Sequence, residues 1–417
     1  MAKITVIEKC RLCEKDDWEK VLPLAPTPVG DYYLPREKHP ESLESYPLDV
    51  YQCRACGHVQ LRAIVDPEYL YTEYIYTTSS SLGLSDHFAR YAATVCERLG
   101  LKPGGLVVEI GSNDGTMLRA FKDRGMRVLG VDPAREIARR ATESGIPTRN
   151  AFFTPELAAE IVAQEGEAAL VIANNVMANV PDPEQVVRGV ARLLGREGVF
   201  VFETGYLRYL AEDVVFDNIY HEHIDYYSIQ PLAGFFSRLG LQLFDVDHTP
   251  SKGSSIRSYV QAAGAGRPVT ARVTELVERE REKGYATAAP YRALGDKLDA
   301  TKAELRRLLE GWKKEGLRIG AYGASVGVTT VLYHFELGGL IDFLIDDNPV
   351  RQGLFSPGLA IPVVGPQILA GPEKPDVVVI LAWRYAEPIL AKNQAYLRNS
   401  GRFLKILPEI ELIGEGP

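Results

Sequence analysis

The sequence predicts an α/β protein with two doubly wound, mostly parallel units behind a small cysteine-bearing one, and three observations predict it. Apolar strand-like runs alternate with amphipathic helical stretches from about residue 80, a second alternation begins near residue 317, and four of the five cysteines form two CxxC pairs. Alternating strands and helices place helices on both faces of a parallel sheet, with ligands beyond the carboxyl ends of its strands.

The first unit is expected to span residues 1–76. Its pairs "CRLC" (Cys10, Cys13) and "CRAC" (Cys53, Cys56) can present four thiolates to one tetrahedral zinc, which would replace a hydrophobic core too small to hold the unit together. A redox reading would need both pairs to be catalytic. Cys96, alone in the helical "FARYAATVCERLG", reads as a small buried apolar residue. A tyrosine-rich stretch, "YLYTEYIYTTSSS", leads to the second unit, expected over residues 77–264. There "LVVEIGSNDGTMLRAFKDRG" and "RVLGVDPAREIARRATESG" each read as strand, loop and helix, and "AALVIANNVM", "GVFVFETGY", "LQLFDVDHT" and "IRSYVQAA" supply further strands. The third unit, residues 265–417, opens with a charged helical stretch read as a solvated connector. It continues as strand, Gly-rich turn and helix in "LRIGAYGASVGVTTVLYHFE". Its glycines are spaced GxxGxxxG, which is weak support for NAD.

The chain has 417 residues, 46% of them hydrophobic and 24% charged, with a formal net charge of -8. An acidic average field repels nucleic acid and anionic membrane surfaces, so neither is expected as a partner. The start "MAKITVIEK" lacks the apolar core of a signal peptide, and no apolar run reaches membrane-spanning length. A cytoplasmic monomer acting on a small molecule is the expectation.

The loop after the first strand of the second unit runs Glu109, Ile110, Gly111, Ser112, Asn113, Asp114, Gly115. This is E-x-G-x-x-x-G, not the dinucleotide fingerprint. Its glycines admit a nucleoside close to the backbone, and its carboxylate suits a cationic amine. About twenty residues later Asp132 ends the next strand, where a carboxylate can accept ribose hydroxyls. The ordered pair describes an S-adenosylmethionine pocket better than a nicotinamide one. The densest polar string is "NIYHEHIDYY" (218–227). It is open to three readings: a metal site, satisfied core histidines, or a proton-transfer site with a base, an orienter and a hydrogen-bond donor.

Taken together, "CRLC" with "YQCRACGHVQL", "VVEIGSNDGTML", "VLGVDPA", "NNVMANVPD", "FDNIYHEHIDYYS" and "GSSIR" resemble the three-domain sugar C-methyltransferases. That resemblance implies a class I methyltransferase-like sheet between a zinc-binding domain and a Rossmann-like C-terminal domain. It implies methyl transfer from S-adenosylmethionine, leaving S-adenosylhomocysteine, to a ring carbon beside the ketone of a nucleotide-linked keto sugar, through an enolate. His223 would be the base, with Glu222, Tyr220 and Asn179 around it. Tyr76, Pro133 and Asn174 join Glu109, Gly111, Ser112, Asn113, Gly115 and Asp132 around the cofactor. Tyr74, Lys252, Ser255, Arg257, Ala324 and Ser325 are the substrate-binding candidates. The chain departs from the family pattern at Asn179, where a His is usual, and at Lys252, Val326 and Val328, which leaves a different carbohydrate or natural-product acceptor as an alternative. A zinc-containing binding protein without turnover is another.

Overall fold

The computed structural model describes residues 4–40, 43–71, 84–249 and 255–414. A seven-stranded sheet forms the middle of the chain, with strands in the order 241–249, 255–262, 194–205, 168–174, 106–110, 127–131, 148–149. The last five of these run parallel, and Ser255–Ala262 runs antiparallel to both its neighbours. Leu106–Ile110 is buried along its whole length, as a parallel strand covered on both faces should be. Helices Pro155–Glu165 and Pro183–Leu193 each begin on a proline. Thr154 and Asp182 stand just before them and accept the backbone N–H groups of Leu157 and Gln185. The connections bring the carboxyl ends of 106–110, 127–131, 168–174 and 194–205 to one rim of the sheet. This is the class I methyltransferase arrangement.

A second sheet, of six strands, has the order 363–364, 343–345, 319–322, 377–380, 402–405, 411–413. Only its last pair is antiparallel. The charged stretch before it forms helices Ala271–Glu282 and Ala289–Lys314. The longer helix is more than a solvated connector, because Tyr291, Leu294, Leu298, Leu305 and Leu309 are buried along one face. No helix among the described residues is long and apolar enough to cross a membrane.

The N-terminal residues form an antiparallel sheet of order 225–226, 59–61, 50–53, 18–22. Its edge strand, Asp225–Tyr226, comes from the middle of the chain and pairs with Gln60 and Val59. The core of this unit, expected to be too small to hold it together, continues into the rest of the chain. Val21, Leu22, Leu48, Val50, Val59 and Leu61 lie in one apolar cluster with Phe216, Leu298, Leu332 and Leu344. At about 1.5–3 kcal/mol for each buried aliphatic side chain, that packing helps to hold the sheet in addition to any bound metal. The sequence hides it because the packing partners lie hundreds of residues further along the chain.

Candidate active site and metal centre

Each CxxC pair folds as the same small turn. The N–H of Glu14 donates to the Cys10 carbonyl, and that of Gly57 to the Cys53 carbonyl, at 2.9 and 2.8 Å. Glu14 and Gly57 both take the left-handed conformation, with φ of 63° and 81°. The turns bring four Sγ atoms within 4.8 Å of one another, with Cys10–Cys56 at 3.7 Å and Cys13–Cys53 at 3.5 Å. A tetrahedral zinc with Zn–S bonds of about 2.3 Å has ligand edges of about 3.8 Å. The donor set and its spacing therefore fit zinc.

At the rim of the central sheet the loops after strands 106–110, 127–131 and 168–174 enclose a cavity of 560 Å³. Glu109, Gly111, Ser112, Asn113, Asp132, Pro133 and Asn174 all line it. Glu109 is only 4% exposed, and one of its carboxylate oxygens is enclosed without a hydrogen-bond partner. Burial holds its pKa well above the usual carboxylate range, and the Asp132 and Asp114 charges push it further. An ammonium group in the cavity would satisfy that oxygen and reverse the shift. One oxygen of Asp132 accepts the Asn113 N–H at 2.8 Å and the other accepts the Ala134 N–H at 2.9 Å. Each oxygen keeps a lone pair for a hydroxyl. Ser112 Oγ and Asn174 Nδ2 are also enclosed and unpartnered. Gly111 has φ of 68°, and a Cβ there would stand 2.4 Å from Val176 Cγ2. Gly115 is not part of the lining. It starts helix Thr116–Lys122 and packs on Ile146. Tyr76, like Tyr74, lies outside the described residues.

A second cavity, of 570 Å³, lies where the three units meet, and Asn175 and Asn179 line both cavities. Tyr220, Glu222 and His223 face it, with Ser255, Ala324 and Ser325 across from them. His223 Nδ1 is 3.0 Å from the Asn218 carbonyl oxygen, which can only accept, so Nδ1 carries the proton. Nε2 lies 2.9 Å from the Tyr220 hydroxyl. The ring thus meets a phenol at the cavity wall through Nε2. Burial, together with the Asp31 charge, raises the Glu222 pKa to about 7, and its Oε2 is enclosed without a partner. His221 is different. It is 1% exposed, reaches the Tyr46 carbonyl at 3.3 Å, and burial lowers its pKa to about 4. One histidine of the string is a neutral core residue, and the other stands at the cavity.

Other candidates sit elsewhere or are already engaged. The Ala324 N–H donates to Asp346 at 2.7 Å, so that amide is taken. Arg257 is not brought to this cavity. Its guanidinium holds Glu203 at 2.9 Å and lies 3.8 Å over the Tyr91 ring. Lys252 is outside the described residues. Sequence reasoning missed Asn175, Asp31 and Arg351. Asn175 carried a local signal, an Asn directly after a strand, and it adopts φ of 56°. Asp31 and Arg351 form an ion pair at the cavity across 320 residues, and nothing local marks either of them.

Three family models match in sequence: a zinc binding domain over residues 10–71, a methyltransferase domain over 85–246 and a C-methyltransferase C-terminal domain over 250–408. The C-methyltransferase NovU of Streptomyces niveus is 36% identical over 408 residues, covering 98% of this chain and 97% of that one. A ubiquinone biosynthesis O-methyltransferase of Ralstonia nicotianae is 27% identical over 165 residues, 36% of this chain and 69% of that protein. Among solved structures, an S-adenosylmethionine-dependent methyltransferase from Clostridium acetobutylicum aligns with 43% of this chain and 92% of its own. Its identity is 13% and its TM-score 0.35, a likeness that carries no weight for function.

Proposed function

Because the chain belongs to the family of S-adenosylmethionine-dependent C-methyltransferases, we propose that its acceptor is a nucleotide-linked keto sugar, methylated on a ring carbon beside the ketone with His223 as the base. The observation that carries this reading is the placement of His223 at the cavity wall, its Nδ1 held on the Asn218 carbonyl and its Nε2 2.9 Å from the Tyr220 hydroxyl, beside the cofactor cavity. S-Adenosylmethionine supplies an electrophilic methyl group. Glu109 would hold its ammonium and Asp132 its ribose.

A carbon beside a ketone is a weak acid, so deprotonation needs a base and a group that stabilises the enolate oxygen. His223 Nε2 accepts the proton while Nδ1–H stays on the Asn218 carbonyl, which fixes the ring. The Tyr220 hydroxyl, released from Nε2 by the arriving substrate, donates to the oxygen on which charge develops. Glu222, neutral up to about pH 7, donates to a sugar hydroxyl. The test is solvent deuterium exchange into a panel of nucleotide-linked 4-keto sugars with S-adenosylhomocysteine bound. Exchange beside the ketone should fall by about 100-fold or more in His223→Asn. An equal rate in the variant would remove His223 from the role of base.

A second reading keeps the chemistry and changes the acceptor. Among the described residues lining the cavity there is one arginine, Arg351, and it is already paired with Asp31. Such a lining favours a neutral or cationic acceptor over a diphosphate. Adding ketones without a nucleotide to the panel separates the two: exchange confined to them would displace the nucleotide-linked sugar.

A further inference from the structure

The segment that carries His223 is held from the zinc-binding side by a buried polar network. Arg11 lies between the cysteines of the first pair and is 5% exposed. Its Nη1 donates to the Gln60 side chain at 3.1 Å, the Leu61 carbonyl at 2.9 Å, the Ile224 carbonyl at 3.3 Å and Asp225 Oδ1 at 3.3 Å. His58, two residues beyond Cys56, donates from Nε2 to the same Asp225 oxygen at 2.7 Å, and its ring stacks on Tyr227. Gln60 closes the loop, accepting the Arg11 N–H and donating to Cys10 Sγ at 3.2 Å. Both side chains of the Arg11–Asp225 pair are almost wholly buried, at 2% and 0% exposed.

This network ends one peptide from His223. The Leu61 N–H donates to the Ile224 carbonyl at 2.8 Å, and Ile224 N–H to the Ala178 carbonyl at 2.7 Å. The Tyr226 hydroxyl donates to the His223 carbonyl at 2.8 Å. Methyl-transfer chemistry explains none of this, and strand pairing of two residues does not require a buried ion pair. We infer that Asp225 is a positioning residue for His223, clamped by Arg11 and His58, so that the cysteine knuckles set the place of the base. The inference rests on the reading of His223 as base, and its consequence is that the zinc-binding unit shapes the active site.

Full-length, zinc-loaded protein carrying Asp225→Asn tests it, with His58→Gln as the second variant should the first fail to fold. Three quantities are measured without any acceptor: zinc per chain, S-adenosylmethionine affinity, and the imidazole nitrogen signals of His223 together with amide exchange over 218–226. We expect zinc content to be unchanged and cofactor affinity to stay within about threefold. Amide exchange at His223 to Tyr226 should rise about tenfold or more, and the His223 ring should lose its single Nδ1–H tautomer. Ring signals and exchange identical to wild type in the folded variant would overturn the inference. So would joint loss of zinc and cofactor binding, which would make the network part of general folding. Since no acceptor enters these measurements, failure of the keto-sugar reading would leave them interpretable.

Discussion

Glu222 and His221 sit next to each other yet titrate in opposite senses, because burial always disfavours the charged form. For Glu222 this has a pH signature. Its pKa rises from 4.5 to about 7 in the folded chain, so the unfolded chain releases the proton first as pH climbs. Stability therefore falls between those two values and is level outside them. Replacing Glu222 by Gln should leave thermal stability near wild type at pH 5 and raise it by pH 8. Discounted for the partial exposure of the side chain, the gain is on the order of 1–3 kcal/mol. Melting curves that stay parallel across that range would show that Glu222 is ionised throughout. The sequence made the polar density of 218–227 plain, but not which histidine would turn inward. Two residues of spacing separate the rings differently on a strand and on a helix, and residues 221–223 fold as neither.

Elements with strong local signals were legible. Every strand expected in the central sheet is present, since continuous apolar runs bounded by glycine are hard to bury any other way. The two-residue strand Asp225–Tyr226 was not, because its pairing with Gln60 and Val59 leaves no periodicity to read. The loop after Leu106–Ile110 lines the proposed cofactor cavity. Gly111 combines φ of 68° with a Cβ position 2.4 Å from Val176. Gly111→Ala should cost about 1–3 kcal/mol and weaken S-adenosylmethionine binding by about tenfold or more, measured by calorimetry. Binding at wild-type affinity would mean that the loop tolerates a shift at its tightest point.

On the scale of the molecule, the three units interlock instead of following one another. Segment 216–227 is gripped by Arg384 on Asp217, by Thr330 on the Ile219 carbonyl and by Arg11 on Asp225. The first two grips come from the C-terminal unit and the third from the N-terminal one. None is visible in sequence, since hydrogen bonds across more than a hundred residues leave no local pattern. Zinc removal by a chelator should therefore not unfold the chain. The apolar cluster that joins Val21 and Leu48 to Leu298 and Leu344 should keep the N-terminal sheet in place, and cofactor affinity should stay within about threefold. Circular dichroism and cofactor titration of the metal-free protein check this. Collapse of both would return zinc to the role of sole support for residues 1–71.

The borrowed edge strand also sets how late in synthesis the N-terminal sheet can be completed. His58 and Asp225 are 167 residues apart, so at about 5–20 residues per second the N-terminal sheet waits roughly ten to thirty seconds for its last strand. Its apolar face waits longer still, for the helix at 289–314. During that interval the nascent chain exposes an unpaired sheet edge, a state open to mispairing and to capture by a chaperone.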